Sequence, residues 1–331
     1  MKKVCIVGAG AIGGLIGTRL AVAGDVQVAA LARGATLAAL REHGWRLRHG
    51  ESLLRAPAIA SDRATELGVQ DLVVIAVKGP ALADVVARMG PLLGPQTVVL
   101  PAMNGVPWWF GQGVAALGAA PLESVDPGGR IAAAIPTAQV VGCVVHVAAS
   151  LPEPGLAQQN MGQRLIVGEP AGGESPRATA LAAILARAGF EAEVSANVRY
   201  DIWYKLWGNL TMNPVSAITG ATTDRMLDDP LVRAFCSAAM REAAAIGARL
   251  GCEIAQSPDD RHAVTRKLGA MKTSMLQDVL AGRALELDSI VGAVHELGER
   301  VGVAAPNVAA LLGLARLFGR VRGLYPDALP R

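Results

Sequence analysis

The sequence predicts two domains, an α/β domain with a mostly parallel sheet over residues 1–195 and an all-α domain over residues 196–331. Three observations predict this architecture. Short apolar segments rich in β-branched residues alternate with helical segments in the first half, which is the pattern of parallel strands joined by crossover helices. A glycine-rich turn lies directly after the first of these segments and opens a helix. From about residue 197 onward, long helical segments follow one another with little strand pattern.

The elements of the first domain follow from local patterns. Residues 71–77 form the clearest buried strand, because this run is apolar and β-branched over most of its length. The other strands are predicted at residues 4–7, 26–31, 97–101, 140–148, 164–167 and 191–195, with a hairpin at 45–48 and 52–54. The helices between them are predicted at residues 12–23, 36–43, 81–89 and 176–188. The stretch 111–136 is predicted to form loops around one short helix.

The second domain is predicted from helical patterns alone. Its helices are expected at residues 198–218, 230–250, 258–281, 285–301 and 305–318.

Composition narrows the class of protein. Hydrophobic residues make up 52% of the 331 and charged residues 18%, which excludes a disordered chain. The four cysteines are far apart and form no CxxC motif, so neither a structural zinc site nor a redox dithiol is expected, and no metal is predicted. The net charge of +3 is too small and too dispersed to suggest a nucleic-acid-binding protein.

The longest apolar runs bear on where the protein resides. Residues 4–18 and 140–149 are both shorter than the ~20 residues that a membrane-spanning helix needs. Lys2 and Lys3 before the first run imitate a signal peptide, but glycines interrupt that run repeatedly. We therefore expect no membrane segment and a cytoplasmic protein, which the scattered cysteines also favour.

A dinucleotide-binding motif occupies the first turn. Gly8-Ala9-Gly10-Ala11-Ile12-Gly13 has the pattern G-x-G-x-x-G, directly after a strand and at the start of a helix. The first glycine permits a tight turn, the second lets the backbone approach a pyrophosphate, and the third lets helix and strand pack closely. A loop that is merely rich in glycine is the alternative, but the strand–turn–helix context favours a Rossmann-like nucleotide site.

The end of the second strand predicts which nucleotide binds. NAD sites usually carry Asp or Glu there, about 20 residues past the glycines. Asp25 comes too early in the sequence, and Arg33 stands where a cation would meet a 2′-phosphate. We therefore predict NADP(H) as the cofactor, with a solvated surface arginine as the alternative interpretation of Arg33.

Polar residues also follow two further strands. Lys78 ends the strand at 71–77, and Asn104 lies beyond the strand at 97–101. Ligands in open α/β sheets bind beyond the carboxyl ends of strands, so both residues have reason to face a cofactor. A surface lysine and an ordinary Asn-Gly turn are equally good interpretations of these two positions.

A row of polar residues follows one face of the helix at 198–218. Lys205, Asn209 and Asn213 are spaced four apart among bulky apolar neighbours. Asn is a poor helix former, so the row either lines a polar cavity or faces solvent. Further along, Ser274 and Glu286 lie on either side of a glycine turn and can converge across it. On spacing alone, a capping serine and a first-turn glutamate are the preferred interpretation of that pair.

In this order, the motifs resemble those of the ketopantoate reductase family (2-dehydropantoate 2-reductases), and the resemblance covers nearly the whole chain. Its most specific part is Lys205-Leu206-x-x-Asn209-x-x-x-Asn213-Pro214, followed by Ser274-Met275-Leu276-Gln277-Asp278 and Glu286. That family pairs a Rossmann-like NADP-binding domain with a helical domain. The resemblance therefore implies NADPH-dependent reduction of ketopantoate to pantoate, a step of pantothenate biosynthesis.

The resemblance also implies residue roles. Lys205 would be the general acid, and Glu286 would lie at the junction of nicotinamide and substrate. The substrate would be bound by Asn104, Lys205, Asn209, Asn213 and Ser274. The cofactor would be bound by residues 8–13, Arg33, Lys78, Asn104, Ala148 and Glu286. The expected partner is a small 2-oxo acid, and neither a nucleic acid nor a membrane is expected to bind. Whether the chain forms a homodimer is left open.

Departures from the family pattern leave the identity of the 2-oxo acid open. The segment 104–109 and the extension 117–136 exceed the compact pattern, and Thr223 replaces a substrate-contact Asn.

A β-hydroxyacid dehydrogenase, which also uses a Lys-x-x-x-Asn helix, is the nearest alternative enzyme, although Ser274 and Glu286 at their spacing favour ketopantoate reductase. A catalytically silent NADP-sensing protein is the alternative outside the enzymes, and the presence of Lys205 argues against it.

Overall fold

The computed structural model describes residues 1–327. Contacts divide the chain into two units, Met1–Asn104 with Arg130–Asp201, and Gly105–Gly129 with the chain from Ile202 onward. The single boundary predicted near residue 195 therefore does not account for residues 105–129, which belong to the second unit.

The first unit alternates strands with helices, which confirms the predicted α/β class. Its strands are β1 (Lys3–Val7), β2 (Gln27–Leu31), β3 (Trp45–His49), β4 (Ser52–Ala56), β5 (Ile59–Ser61), β6 (Leu72–Ile75), β7 (Val98–Pro101), β8 (Gly142–Glu153), β9 (Leu156–Gly168) and β10 (Glu191–Ser195). Its helices are α1 (Ala11–Ala23), α2 (Gly34–His43), α3 (Ala64–Leu67), α4 (Leu82–Met89), α5 (Arg130–Ala134) and α6 (Pro176–Arg187).

The first sheet is wholly parallel and has the order β5-β2-β1-β6-β7. Its central strands β1 and β6 are almost completely buried, as near-continuous apolar runs predict. In this order the carboxyl ends of β1 and β2 are neighbours, so the turn after β1 and the residues after β2 lie at one edge of the sheet. The sequence analysis missed β5, because three residues are too few to show a strand pattern.

The second sheet is mixed and has the order β10-β9-β3-β4, with β8 paired to β9. Strands β8 and β9 are longer than predicted and form a hairpin, because the polar run Gln158–Gln163 hid the first part of β9 from an apolar pattern search. Helix α1 packs against both sheets. A Cβ on Gly17 would lie 2.5 Å from the ring of the buried Trp45, so a glycine is needed for α1 to approach β3.

The second unit is helical, as predicted. Its helices are α7 (Val198–Thr219), α8 (Thr223–Asp228), α9 (Pro230–Arg249), α10 (Pro258–Arg266), α11 (Ser274–Leu280), α12 (Ala293–Arg300) and α13 (Pro306–Val321). The prediction of one helix at 258–281 is wrong, because Gly269 has a φ of +64° and Thr273 caps a new helix. The helix expected at 285–301 begins instead with a π-helical turn, Asp288–Gly292. The short helix α8 was not predicted.

Residues 105–129 join the second unit through a buried aromatic segment. Trp108, Trp109 and Phe110 are at most 2% exposed, and the ring of Phe110 stacks on that of Trp203 with 5.8 Å between centroids. The Val106 N–H also donates to the Ser289 carbonyl oxygen at 2.8 Å. Burial of these side chains explains why the segment does not follow the boundary drawn from secondary-structure patterns.

Three further properties of the described residues bear on function. Between residues 1 and 327, no helix combines the length and apolar character that a bilayer crossing requires. In the same range no cluster of three or more His, Cys, Asp or Glu is arranged to hold a metal ion. All four cysteines are buried, and burial raises the pKa of the Cys5 thiol to about 12 and that of Cys236 to about 11. Both thiols are therefore protonated at neutral pH and are poor nucleophiles.

Candidate active site

The turn after β1 has the geometry that a bound pyrophosphate requires. Gly8 has a φ of +90°, and a Cβ there would lie 2.5 Å from the Val77 side chain. A Cβ on Gly13 would lie 2.0 Å from the Gly8 carbonyl oxygen, so this glycine lets α1 close against the turn. By contrast, a Cβ on Gly10 would meet no protein atom within 4 Å, which leaves the backbone at Gly10 open to a ligand.

The start of α1 is suited to an anion. Gly10 is its N-cap, no side chain caps the helix, and no acidic residue lies in its first turn. The first N–H groups of a helix have no partner within the helix, and its dipole favours negative charge at this end. Ala9 is buried, while Ala11 and Ile12 are half-buried. The predicted motif at residues 8–13 therefore has the geometry and charge that suit the phosphates of a dinucleotide.

A pocket of about 210 Å³ opens beside this turn. Gly8, Ala9, Gly10 and Arg33 line it, as expected for residues at the carboxyl ends of β1 and β2. Arg33 is the N-cap of α2 and its side chain is 65% exposed. Asp25 is not part of this pocket and instead pairs with Arg187 at 2.5 Å.

The pocket also contains charged residues that the sequence analysis did not single out. Arg88 from α4 and Asp62, directly after β5, both line it. Asp84 on α4 pairs with Arg33 at 3.3 Å and with Arg88 at 2.5 Å. The spacing of four residues between Asp84 and Arg88 is visible in the sequence, but only the parallel sheet brings that pair to Arg33. Asp62 follows the strand that was missed, so no pattern pointed to it.

The other predicted cofactor residues of the first unit are placed as follows. Lys78 directly precedes the 3₁₀ turn Gly79–Ala81 after β6 and is half-buried. Asn104 is half-buried and lies three residues beyond the end of β7. Ala148 lies in β8 of the second sheet, opposite Met161, and is not among the residues that line the pocket. Its cofactor contact stays a prediction from the resemblance.

Two tryptophans fix the rotation of helix α7 about its own axis. The Trp203 indole N–H donates to the Ala243 carbonyl oxygen at 3.2 Å, and that of Trp207 donates to the Met240 carbonyl oxygen at 2.7 Å. Both acceptors lie on α9. A Cβ on Gly247 would lie 2.2 Å from the Trp203 indole nitrogen, so this glycine makes room for the ring. Each tryptophan is 1% exposed, and together they fix which side of α7 faces α9.

The polar row on α7 is turned away from these tryptophans. Lys205 and Asn209 each follow a tryptophan by two residues, which is about 200° around the helix. Both are half-buried, and Asn213 is 5% exposed. The Asn213 amide nitrogen Nδ2 is buried and has no hydrogen-bond partner among residues 1–327. This row is not a fully solvated helix face, because Asn213 is buried. A buried amide donor without a partner is costly unless a ligand or water satisfies it.

After α10, the structure differs from the preferred interpretation that Ser274 caps a helix. Thr273, not Ser274, is the N-cap of α11, since its hydroxyl accepts the Leu276 N–H at 3.2 Å. Ser274 is the first residue of that helix and is exposed, so its hydroxyl has no capping role. Glu286 is half-buried and lies before the π-helical turn. A π-turn is rare and occurs frequently at functional sites.

Thr223, at the position where the resemblance implies an Asn, makes hydrogen bonds to the protein backbone. It is completely buried at the start of α8, and its hydroxyl donates to the Gly269 carbonyl oxygen at 2.8 Å. Its backbone N–H donates to the Met271 carbonyl oxygen at 3.1 Å. Thr223 therefore fastens α8 to the loop that leads into Ser274.

We expect Thr223→Val to loosen that loop with little change in side-chain volume. Loss of one hydrogen bond costs about 1 kcal/mol, which lowers Tm by roughly 2–4 °C. If Ser274 binds the substrate, as the resemblance implies, the KM for the substrate should rise, while the Kd of a nucleotide in the pocket beside Gly10 stays constant. Thr179→Val is the matched control, because the exposed Thr179 hydroxyl donates to the carbonyl oxygen of Ser175, the residue that caps its own helix. An unchanged Tm and KM in Thr223→Val would contradict this role.

The fold and these features define a pyridine-nucleotide-dependent oxidoreductase with a Rossmann-like domain. Models of the ketopantoate reductase PanE/ApbA family match residues 4–172, and models of the C-terminal domain of the same family match residues 197–318. The chain therefore belongs to the ketopantoate reductase PanE/ApbA family.

Individual relatives agree with this membership. A 2-dehydropantoate 2-reductase from Mesorhizobium japonicum is 43% identical over 98% of this chain and 99% of its own length. A crystal structure from Ralstonia solanacearum MolK2, assigned as a ketopantoate reductase, is 55% identical, with a TM-score of 0.94 and coverage of 98% and 99% of the two chains. A PanE/ApbA family ketopantoate reductase from Ralstonia eutropha JMP134 is 26% identical, with a TM-score of 0.82 and coverage of 98% and 100%.

Proposed function

We propose that this protein reduces 2-dehydropantoate (ketopantoate) to pantoate with NADPH, and that Lys205 is the general acid. The observation that carries the proposal is the polar row on α7. Lys205 and Asn209 are half-buried, and Asn213 presents a buried amide donor, on a helix whose opposite side is locked by Trp203 and Trp207. The name of the Mesorhizobium japonicum relative supports the choice of substrate.

The first unit would hold the cofactor. The open backbone at Gly10 and the uncapped start of α1 suit the pyrophosphate, and Arg33 suits a 2′-phosphate. By resemblance, Lys78, Asn104 and Ala148 would contact the remainder of the cofactor. When bound, the reduced nicotinamide would supply the hydride that the ketone carbon receives.

The proton is the contribution of the chain itself. As the ketone is reduced, its oxygen becomes negative, and an ammonium group beside it lowers the energy of that charge. The Lys205 ammonium would then transfer a proton from Nζ to this oxygen, so one N–H bond breaks and one O–H bond forms. A carboxylate such as Glu286 would favour the protonated form of Lys205 and orient it.

The substrate carboxylate and carbonyl need neutral or cationic hydrogen-bond donors. The amides of Asn209 and Asn213 and the exposed hydroxyl of Ser274 can supply them. By resemblance, Asn104 would be a further donor. Asn213 supports this assignment most directly, since its buried Nδ2 has no partner among the described residues. No metal takes part in this scheme.

A substrate panel tests the proposal. With purified protein, the loss of NADPH absorbance is followed with ketopantoate, with other 2-oxo acids, and without substrate, and NADH is compared with NADPH. We expect the highest kcat/KM for ketopantoate with NADPH. A higher kcat/KM for another 2-oxo acid would show that this acid, and not ketopantoate, is the preferred substrate. Oxidation of β-hydroxy acids by NADP⁺ as the main activity would instead identify a β-hydroxyacid dehydrogenase. Tight NADPH binding without turnover would indicate an NADP-sensing protein.

Location and assembly remain predictions. Burial of all four cysteines without a disulfide supports a reducing, cytoplasmic location. A homodimer is supported by the exposed apolar side chains of Leu314, Leu317 and Val321, which lie along one side of α13.

A further inference from the structure

Two arginines in the nucleotide pocket bind the same carboxylate oxygen. The Arg33 guanidinium lies 3.3 Å from Oδ2 of Asp84, and that of Arg88 lies 2.5 Å from the same atom. Arg33 follows β2, whereas Asp84 and Arg88 are one turn apart on α4. Two guanidinium groups that share one anionic oxygen are arranged as they would be around a phosphate oxygen.

The surroundings of this pair also favour an anion. Arg33 and Arg88 both line the pocket beside Gly10, and so does Thr36. Helix α2 begins at Gly34 with no side-chain cap and no acidic residue in its first turn. Its first N–H groups and its positive dipole end therefore add to the charge of the two arginines.

The bond to Asp84 is readily exchanged. The side chains of Arg33, Asp84 and Arg88 are between 49% and 65% exposed, and ion pairs this exposed contribute little to stability because water screens them. A phosphate monoester carries close to two negative charges and three acceptor oxygens, so it binds two guanidinium groups more strongly than one carboxylate does.

We propose that Arg33 and Arg88 together form the subsite for the 2′-phosphate of NADPH, and that Asp84 holds both guanidinium groups until the phosphate replaces it. This inference rests on the proposed use of NADPH. It assigns Arg88 to cofactor selection and makes Asp84 an internal competitor of the phosphate. Asp62, the other acid of the pocket, opposes the phosphate by repulsion and is not displaced by it, because no arginine bond to it is found among the described residues.

Two small probes isolate the subsite from catalysis. Adenosine 2′,5′-bisphosphate and 5′-AMP differ only in the 2′-phosphate, and the Kd of each is measured by calorimetry with the whole protein. We expect Arg88→Ala to raise the Kd of the bisphosphate about tenfold and to leave the Kd of AMP unchanged. Arg33→Ala should do the same. Asp84→Asn should lower the Kd of the bisphosphate about two- to fivefold, since the competing carboxylate is gone.

The AMP affinity serves as the test that the pocket is still folded. Arg41→Ala is the matched control, because Arg41 is exposed on α2 and its guanidinium donates to the Ala60 carbonyl outside the pocket. This variant should bind both probes as the wild type does. An Arg88→Ala variant that keeps the wild-type preference for the bisphosphate would overturn this inference and leave the proposed function intact. A wild-type protein that binds both probes equally would overturn the inference and the NADPH assignment together.

Discussion

Lys205→Ala should lower kcat by roughly 10² or more, which is the usual contribution of a general acid. In the proposed mechanism the Lys205 ammonium acts mainly when the ketone oxygen becomes negative, so its loss would raise the energy of the transition state and not that of bound substrate. The Kd for NADPH should stay unchanged, since the glycine turn and the Arg33 pocket lie in the other unit. Steady-state kinetics and NADPH fluorescence titration measure the two quantities separately.

Two variants serve as controls for this result. Asn209→Ala should raise KM more than it lowers kcat, because the proposed role of this amide is to bind the substrate in the ground state and the transition state alike. Lys267→Ala removes an exposed lysine at the end of α10 and should change neither constant. If Lys205→Ala kept a nearly normal kcat, another group would be the proton donor, and Lys78 would be the next candidate.

The second large effect is expected at Gly13. In Gly13→Ala the new Cβ would lie 2.0 Å from the Gly8 carbonyl oxygen, which forces the turn after β1 away from α1. Such overpacking typically costs 1–3 kcal/mol or more, so Tm should fall by roughly 5 °C or more. Displacement of the turn by about 1 Å should also reduce kcat/KM for NADPH by roughly 10². Calorimetric melting and cofactor kinetics measure these effects.

Other glycines provide the controls for Gly13. Gly10→Ala should lower Tm much less than Gly13→Ala does, because a Cβ there would meet no atom of the described residues within 4 Å. It should still weaken NADPH, since the Cβ projects where the pyrophosphate would lie. Gly90→Ala adds a methyl group to open space outside the pocket and should change neither Tm nor cofactor affinity. Equal Tm values for Gly13→Ala and Gly10→Ala would contradict the packing role of Gly13.

Local rules account for what was predictable in the fold. The buried strands β1 and β6, the glycine turn and helix α7 each follow from a short run of residues, because apolar periodicity and glycine conformation act over a few positions. The same rules failed where local signals were weak or competing. Strand β5 is too short, β9 contains a polar run, and the turn at Gly269 interrupts a stretch that otherwise resembles one helix.

The sequence by itself determined the two fold classes, the G-x-G-x-x-G turn and the polar spacing of Lys205, Asn209 and Asn213. Only the tertiary structure decided that Arg88 and Asp84 join Arg33, and that residues 105–129 pack with the second unit. It also decided that the Asn213 amide nitrogen is buried with no hydrogen-bond partner among residues 1–327. Each of these depends on contacts between segments far apart in the chain. Burial and charge pairing act through space, and no pattern along the chain encodes which distant side chains will meet.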